Sequence, residues 1–318
     1  MPQFRVALAV IVSFLGLQVI GLLAQDGKST AKKGRARLPV FTPADVDKVF
    51  FADVFSALVG ERPANLSSGG ATGTGGTTTA EVEKAATGTW AAYISATTIE
   101  DEVKAIKLIV DKDVTTPSEF KGRGYREVRQ HFSVLAMLFG VINEYDGDVR
   151  WKKDAVAGRD AFGRTAANAK VGTTQVYNEA KLRKQELQDL VGGGSLPAGK
   201  GEVENNWAQI AERSPLMQRL EVAQMTNLQP MLASEGEFKK NMDRIFHEAE
   251  ILAAISHAMT LEGMEDADDD EYKAFSEKMR QAGVDIKDAV KLKNYEKASK
   301  AAAAMTQSCD ECHESYRG

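Results

Sequence analysis

The sequence predicts an all-α fold built as two tandem antiparallel four-helix bundles. After Glu81, apolar residues recur at helical spacing along nearly the whole chain, and strand-like alternation is almost missing. Composition leans the same way, with 7% aromatic residues and only eight prolines in 318 residues. The helical pattern also repeats when the chain is slid along itself by 118 positions. With 43% hydrophobic and 27% charged residues and a net charge of −5, the chain is ordinary globular protein. It is not disordered throughout, collagen-like or a polytopic membrane protein. A balance of 40 basic to 45 acidic side chains gives no bulk attraction to nucleic acid.

The elements follow in order. Residues 1–24 read as a signal peptide: Arg5, an uncharged and mostly apolar run Val6–Ala24, and a small residue at the expected cleavage position. An uncleaved anchor is the competing reading. The basic residues after the run (Lys28, Lys32, Lys33, Arg35 and Arg37) weigh against it, because positive charge prefers the cytoplasmic side. Residues 25–79 then hold a basic leader, one amphipathic helix over Phe41–Gly60 with Thr42 as N-cap and Pro43 behind it, and a Gly/Ser/Thr-rich loop.

The first bundle is expected over 80–195, with helices near 80–113, 118–145, 150–168 and 175–191. Gly192-Gly193-Gly194-Ser195-Leu196-Pro197 breaks the pattern and marks the boundary. The second bundle is expected over 201–318, with helices near 202–232, 235–262, 269–289 and 292–317. Ser214-Pro215 either starts a helix afresh or kinks a longer one. At an offset of 118, Glu119-Phe120-Lys121 falls on Glu237-Phe238-Lys239, Arg126 on Arg244 and Tyr177 on Tyr295; Trp90 meets Trp207 at 117.

Both cysteines lie in Cys309-Asp310-Glu311-Cys312-His313. C-x-x-C-H is the attachment signature of c-type haem. Two cysteines three apart share one side of a helical turn, where their sulfurs can form thioethers with two vinyl groups. The adjacent His313 then serves as proximal iron ligand. Other readings are weaker here. A thioredoxin-type pair wants a βαβ setting at a helix N-terminus, structural zinc needs four ligands, and a C-x-x-C disulfide is strained.

The tail Cys309-Asp310-Glu311-Cys312-His313-Glu314-Ser315-Tyr316-Arg317 resembles the class II c-type cytochromes, the cytochrome c′ and c556 group. The resemblance covers about 201–318 and is strongest in the tail, where Tyr316-Arg317 matches an aromatic-Arg pair. It implies a cytochrome c′-like C-terminal bundle with one covalent haem c on its last helix. It further implies that Arg317 tunes the proximal imidazole, that Arg213 pairs a haem propionate, and that Met217 lies on the distal face. The first copy departs from the family: Ser195 stands where the second has His313, and residues 1–308 contain no cysteine. It is expected to be a haem-free relative.

The expected function is therefore an exported, periplasmic c-type cytochrome acting in electron transfer, not an enzyme. If Met217 ligates the iron, the site is six-coordinate and low-spin. If Met217 or Leu216 only walls the distal face, a five-coordinate haem protein binding NO or CO is the alternative. An interaction or structural module, with the haem bundle as a minor part, is a third reading. A peroxidase would need a distal base, and only His247 or His257 offers one. Those two lie about 80° apart around their helix and cannot readily share an iron. His131 has no expected partner. Expected partners are a redox protein, possibly basic, and either a homodimer or an intrachain pseudo-dimer; no nucleic acid is expected, and a membrane only if the leader stays uncleaved. The run Glu262–Glu271 has seven acidic residues in ten, and is either a solvated loop or a docking patch for that basic partner.

Overall fold

A computed structural model describes residues 90–199 and 201–316. The leader, the Phe41–Gly60 helix, the 67–79 loop and Arg317 lie outside the described residues. Those described are all-helical, with no strand among them.

A 3₁₀ turn at Trp90–Ala92 leads into α1 (Ala96–Asp113). Helix α2 runs as Pro117–Glu119, a π-helical stretch Phe120–Gly124 and Tyr125–Glu144. Then come α3 (Ala155–Asn168), entered through a 3₁₀ turn at Lys152–Asp154, and α4 (Thr174–Val191). The second series opens with a short α5 (Trp207–Ile210). Helix α6 runs as Arg213–Glu221, a π-helical stretch Val222–Leu228 and Gln229–Met231. After it come α7 (Glu235–Lys240), α8 (Met242–Ala258), α9 (Asp270–Lys291) and α10 (Tyr295–Tyr316).

Local chemistry sets these starts. The side chains of Ser95, Thr116, Thr173, Ser234 and Asp269 each accept a backbone N–H at a helix N-terminus. Pro117 occupies the first turn behind Thr116, where its missing N–H costs nothing.

Three expected helices are divided. Trp90–Ala92 is separated from α1 because Ser95 caps the latter afresh. The expected 202–232 helix breaks at Ala211, which is extended, and α6 starts anew at Arg213; Pro215 thus falls in a first turn. The expected 235–262 helix is interrupted at Asn241, whose side-chain amide donates to the carbonyl of Glu237 at 2.8 Å, and it ends at Ala258. Two pairs of starts fall at the offset seen in the sequence. Ala96 and Arg213 are 117 positions apart, and Pro117 and Glu235 are 118 apart.

Helix α2 packs along α3, and α9 is flanked by α8 and α10; α2 also packs on both α1 and α6. One continuous apolar core runs from Trp90 to Met305 across both helix series. A buried ionic network crosses the same junction. Arg219 of α6 makes a two-pronged pair with Glu102 of α1 (2.7 and 3.1 Å) and reaches Glu248 of α8 at 2.8 Å. His247 closes on Glu102 at 2.8 Å, and the Asn227 amide donates to Glu248 at 2.7 Å. Burial alone would raise the Glu102 pKa, but Arg219 and His247 outweigh it and hold it at about 2. Lys287 of α9 adds a second tie, donating to the carbonyl of Ala92 at 2.6 Å.

Candidate functional site

The site begins with the stripe of α10. Ala298, Ala301, Met305, Ser308 and Cys312 are buried, at alternating spacings of three and four that keep one face on the helices behind. Cys312 therefore sits on the buried face. Cys309, one turn back, is half-buried, and His313 is exposed beside them. The Ser308 hydroxyl donates to the carbonyl of Phe275 at 3.0 Å, pinning this part of α10 to α9. The Tyr316 hydroxyl donates at 2.8 Å to Asp269, the same carboxylate that caps α9. That bond lifts the Tyr316 pKa to about 12.

Facing this stripe is a cavity of about 750 Å³. Cys309, Cys312, His313 and Tyr316 line it from α10. Arg213, Met217, Gln224 and Met225 line it from α6, and Tyr272, Phe275 and Met279 from α9. Its size lies in the range that encloses a small molecule or cofactor. Its lining mixes methionine and aromatic side chains with polar ones such as Gln218, Gln224, Thr306 and Asp310. Arg213 pairs with Glu265 at 2.7 Å and with Asp266, and lies over the Tyr272 ring, 5.4 Å from its centroid. The buried Tyr272 hydroxyl has no hydrogen-bond partner among the described residues, which is unusual for a shielded polar group.

The thiols are not built as reactive thiolates. Burial pushes the Cys309 thiol up to about 11, helped by Asp310 and Cys312, and burial raises Cys312 too. A thioredoxin-type pair needs the opposite shift.

The sequence-predicted residues Cys309, Cys312, His313, Met217 and Arg213 thus meet around one cavity, and Arg317 lies outside the described residues. Arg213 lines the cavity but is already engaged by two carboxylates. Leu216 turns into the core, 1% exposed, leaving Met217 on the wall. Neither His247 nor His257 lines the cavity. His247 belongs to the Glu102 network. His257 packs on Trp90 and Tyr93, with ring centroids 4.9 and 4.6 Å away, and burial and the Arg280 charge hold its pKa down at about 4. His131 faces Asp113 at 3.9 Å, and burial lowers its pKa. Of the acidic run, Glu265 and Asp266 hold Arg213 and Asp269 caps α9, while Glu262, Asp268, Asp270 and Glu271 are exposed.

Sequence reasoning missed Met225, Met279, Tyr272 and Phe275. The last three recur at i, i+3 and i+7 on α9, a signal that marks a buried face without saying whether a core or a cavity lies behind it.

Compared with protein-family models, curated proteins and solved structures, the chain matches none of them. Among the described residues, no helix is long and apolar enough to cross a membrane.

Proposed function

We propose that this chain is an exported c-type cytochrome that carries one covalent haem c in the α6–α9–α10 cavity and works in electron transfer. The observation that carries the reading is that Cys309, Cys312 and His313 of α10 line one cavity together with Met217 of α6. The donor set fits the group. Two neutral thiols suit thioether formation, an imidazole beside them suits iron, and an aromatic, methionine-rich lining suits a flat apolar ring. Arg213 and the unpartnered Tyr272 hydroxyl are donors for carboxylate edges, Arg213 on exchanging its present acids.

When bound, haem supplies a one-electron iron couple. The chain's own residues hold and shield it. Cys309 and Cys312 would anchor it, His313 and Met217 would supply its iron ligands, and Met279 and Phe275 would help to shield it from water. Tyr316 and Ser308 fix α10 against α9, so the anchoring turn stays in register with the cavity. The proposal includes two tandem four-helix bundles: α1–α4, and α6 with α8–α10. It also includes a basic redox partner that docks against the exposed acids of the α8–α9 loop.

Visible spectra of the ferric and ferrous protein, with and without CO, test the site. A low-spin spectrum indifferent to CO, and converted to high-spin by Met217→Ala, is expected of the electron carrier. A high-spin spectrum that responds to CO, and is unchanged by Met217→Ala, would replace that reading with the NO- or CO-binding one.

A further inference from the structure

The first helix series carries a donor cluster with no part in the α6–α9–α10 cavity. We propose that Asp113, Glu127 and His131 form a binding site for one divalent transition-metal ion, with Zn²⁺ the ion their chemistry suits best. One ligand atom from each residue lies within 4.8 Å of those of the other two. Asp113 Oδ2 and His131 Nδ1 face one another at 3.9 Å, and both are shielded from solvent with no hydrogen-bond partner among the described residues. That separation is too long for a hydrogen bond. Two donors each about 2.1 Å from one ion sit up to about 4.2 Å apart, so a shared metal fits the gap.

Glu127 supplies the third donor. Arg123 takes only its Oε1, at 2.6 Å, and the Arg123 side chain is 83% exposed, so that pair is weakly held. An imidazole with two carboxylates suits Zn²⁺ and its first-row neighbours. It does not suit Ca²⁺ or Mg²⁺, which want oxygen ligands throughout. Three protein ligands leave a fourth position to water.

The local backbone builds the cluster. Glu127 and His131 are one turn apart on α2, and Asp113 is the last residue of α1. A side chain at Gly124 would bring a Cβ within 2.5 Å of the Asp113 carbonyl oxygen, so only glycine lets the end of α1 close on α2. Gly124 ends the π-helical stretch of α2, a distortion often found beside functional groups. The repeat has no counterpart: 118 positions on stand Met231, Ile245 and Ala249. The donor set therefore belongs to the first series alone.

The test is calorimetric titration of Zn²⁺ into chelator-treated, full-length protein, alongside Asp113→Asn, Glu127→Gln and His131→Asn, each checked for unchanged helical circular dichroism. Cys309→Ala/Cys312→Ala separates this site from the thiols. One Zn²⁺ per chain is expected. Its affinity should fall by about tenfold or more in Asp113→Asn and His131→Asn and stay unchanged without the cysteines. Mg²⁺ should give no heat. The proposal is overturned if the wild type takes up no Zn²⁺ at about 100 µM. It is equally overturned if binding survives in His131→Asn or disappears with the cysteines.

Discussion

Helices α4 and α10 occupy corresponding places in the two series, and they end differently. Helix α4 stops at Val191, followed by Gly192-Gly193-Gly194. The residue 118 positions later is Cys309, and α10 runs on past it to Tyr316. The turns α10 gains are the ones that carry Cys309, Cys312 and His313.

The interiors differ as well. In the first series, Phe162 packs on both Phe132 and Phe139 with ring centroids 5.5 Å apart, and Trp151 packs on Phe139. The Phe139 ring lies so close to Gly158 that a Cβ there would come within 2.4 Å of it. The counterpart of Gly158 is Ser276, on the cavity wall, and the counterpart of Phe139 is His257, which turns to Trp90 and Tyr93 instead. The first series thus fills its interior with aromatic rings where the second leaves a cavity.

The two series are nevertheless energetically joined, and the largest predicted effect comes from separating them. Deleting 40–195 removes Glu102 from Arg219 and uncovers the face of α6 that packs on α2. The remaining chain should fail to give a cooperative thermal transition. A stable, soluble, redox-active fragment would show that the second series stands alone.

A smaller cut at the same junction is Glu102→Gln. It leaves Arg219 with Glu248 as its only carboxylate and should cost about 3 kcal/mol in urea unfolding. A loss near zero would mean that the network contributes register and not stability.

The smallest effect is in pH dependence, where α8 carries two histidines of opposite sign. His257 has a folded pKa of about 4, below its ordinary value of 6.5. Its contribution is present above pH 6.5 and is lost as pH falls from 6.5 toward 4, because the unfolded chain binds that proton first. His247 is raised: burial opposes its charge, but the bond to Glu102 prevails. Its contribution is present below pH 6.5 and is lost as pH rises through its folded pKa. Substituting His257 by Gln should remove part of the acid-side loss, about 1 kcal/mol or less once solvent screening is counted, as measured by unfolding at pH 7 and pH 4.5. An unchanged acid-side slope would place that loss elsewhere.

The helical frame was largely legible because its signals are local. The expected starts near 175, 235 and 269 fall within one residue of the observed Thr174, Glu235 and Asp270, and Ser214-Pro215 lies at a restart. The Cys309–His313 motif was legible because its five residues are consecutive. The rest depended on which faces meet. Glu102 and Arg219 are separated by 117 positions, and nothing near either announces the other. His131 looked solitary because Asp113 reaches it from the end of another helix. Met225 lines the cavity from a π-helical stretch, where an α-helical wheel assigns faces wrongly.

The most direct test is the haem content and intact mass of the full-length protein, matured in a host that attaches haem c. One covalent haem per chain is predicted, lost in Cys309→Ala/Cys312→Ala while the helical signal persists. A chain that emerges with free thiols or a Cys309–Cys312 disulfide and no bound haem would contradict the account.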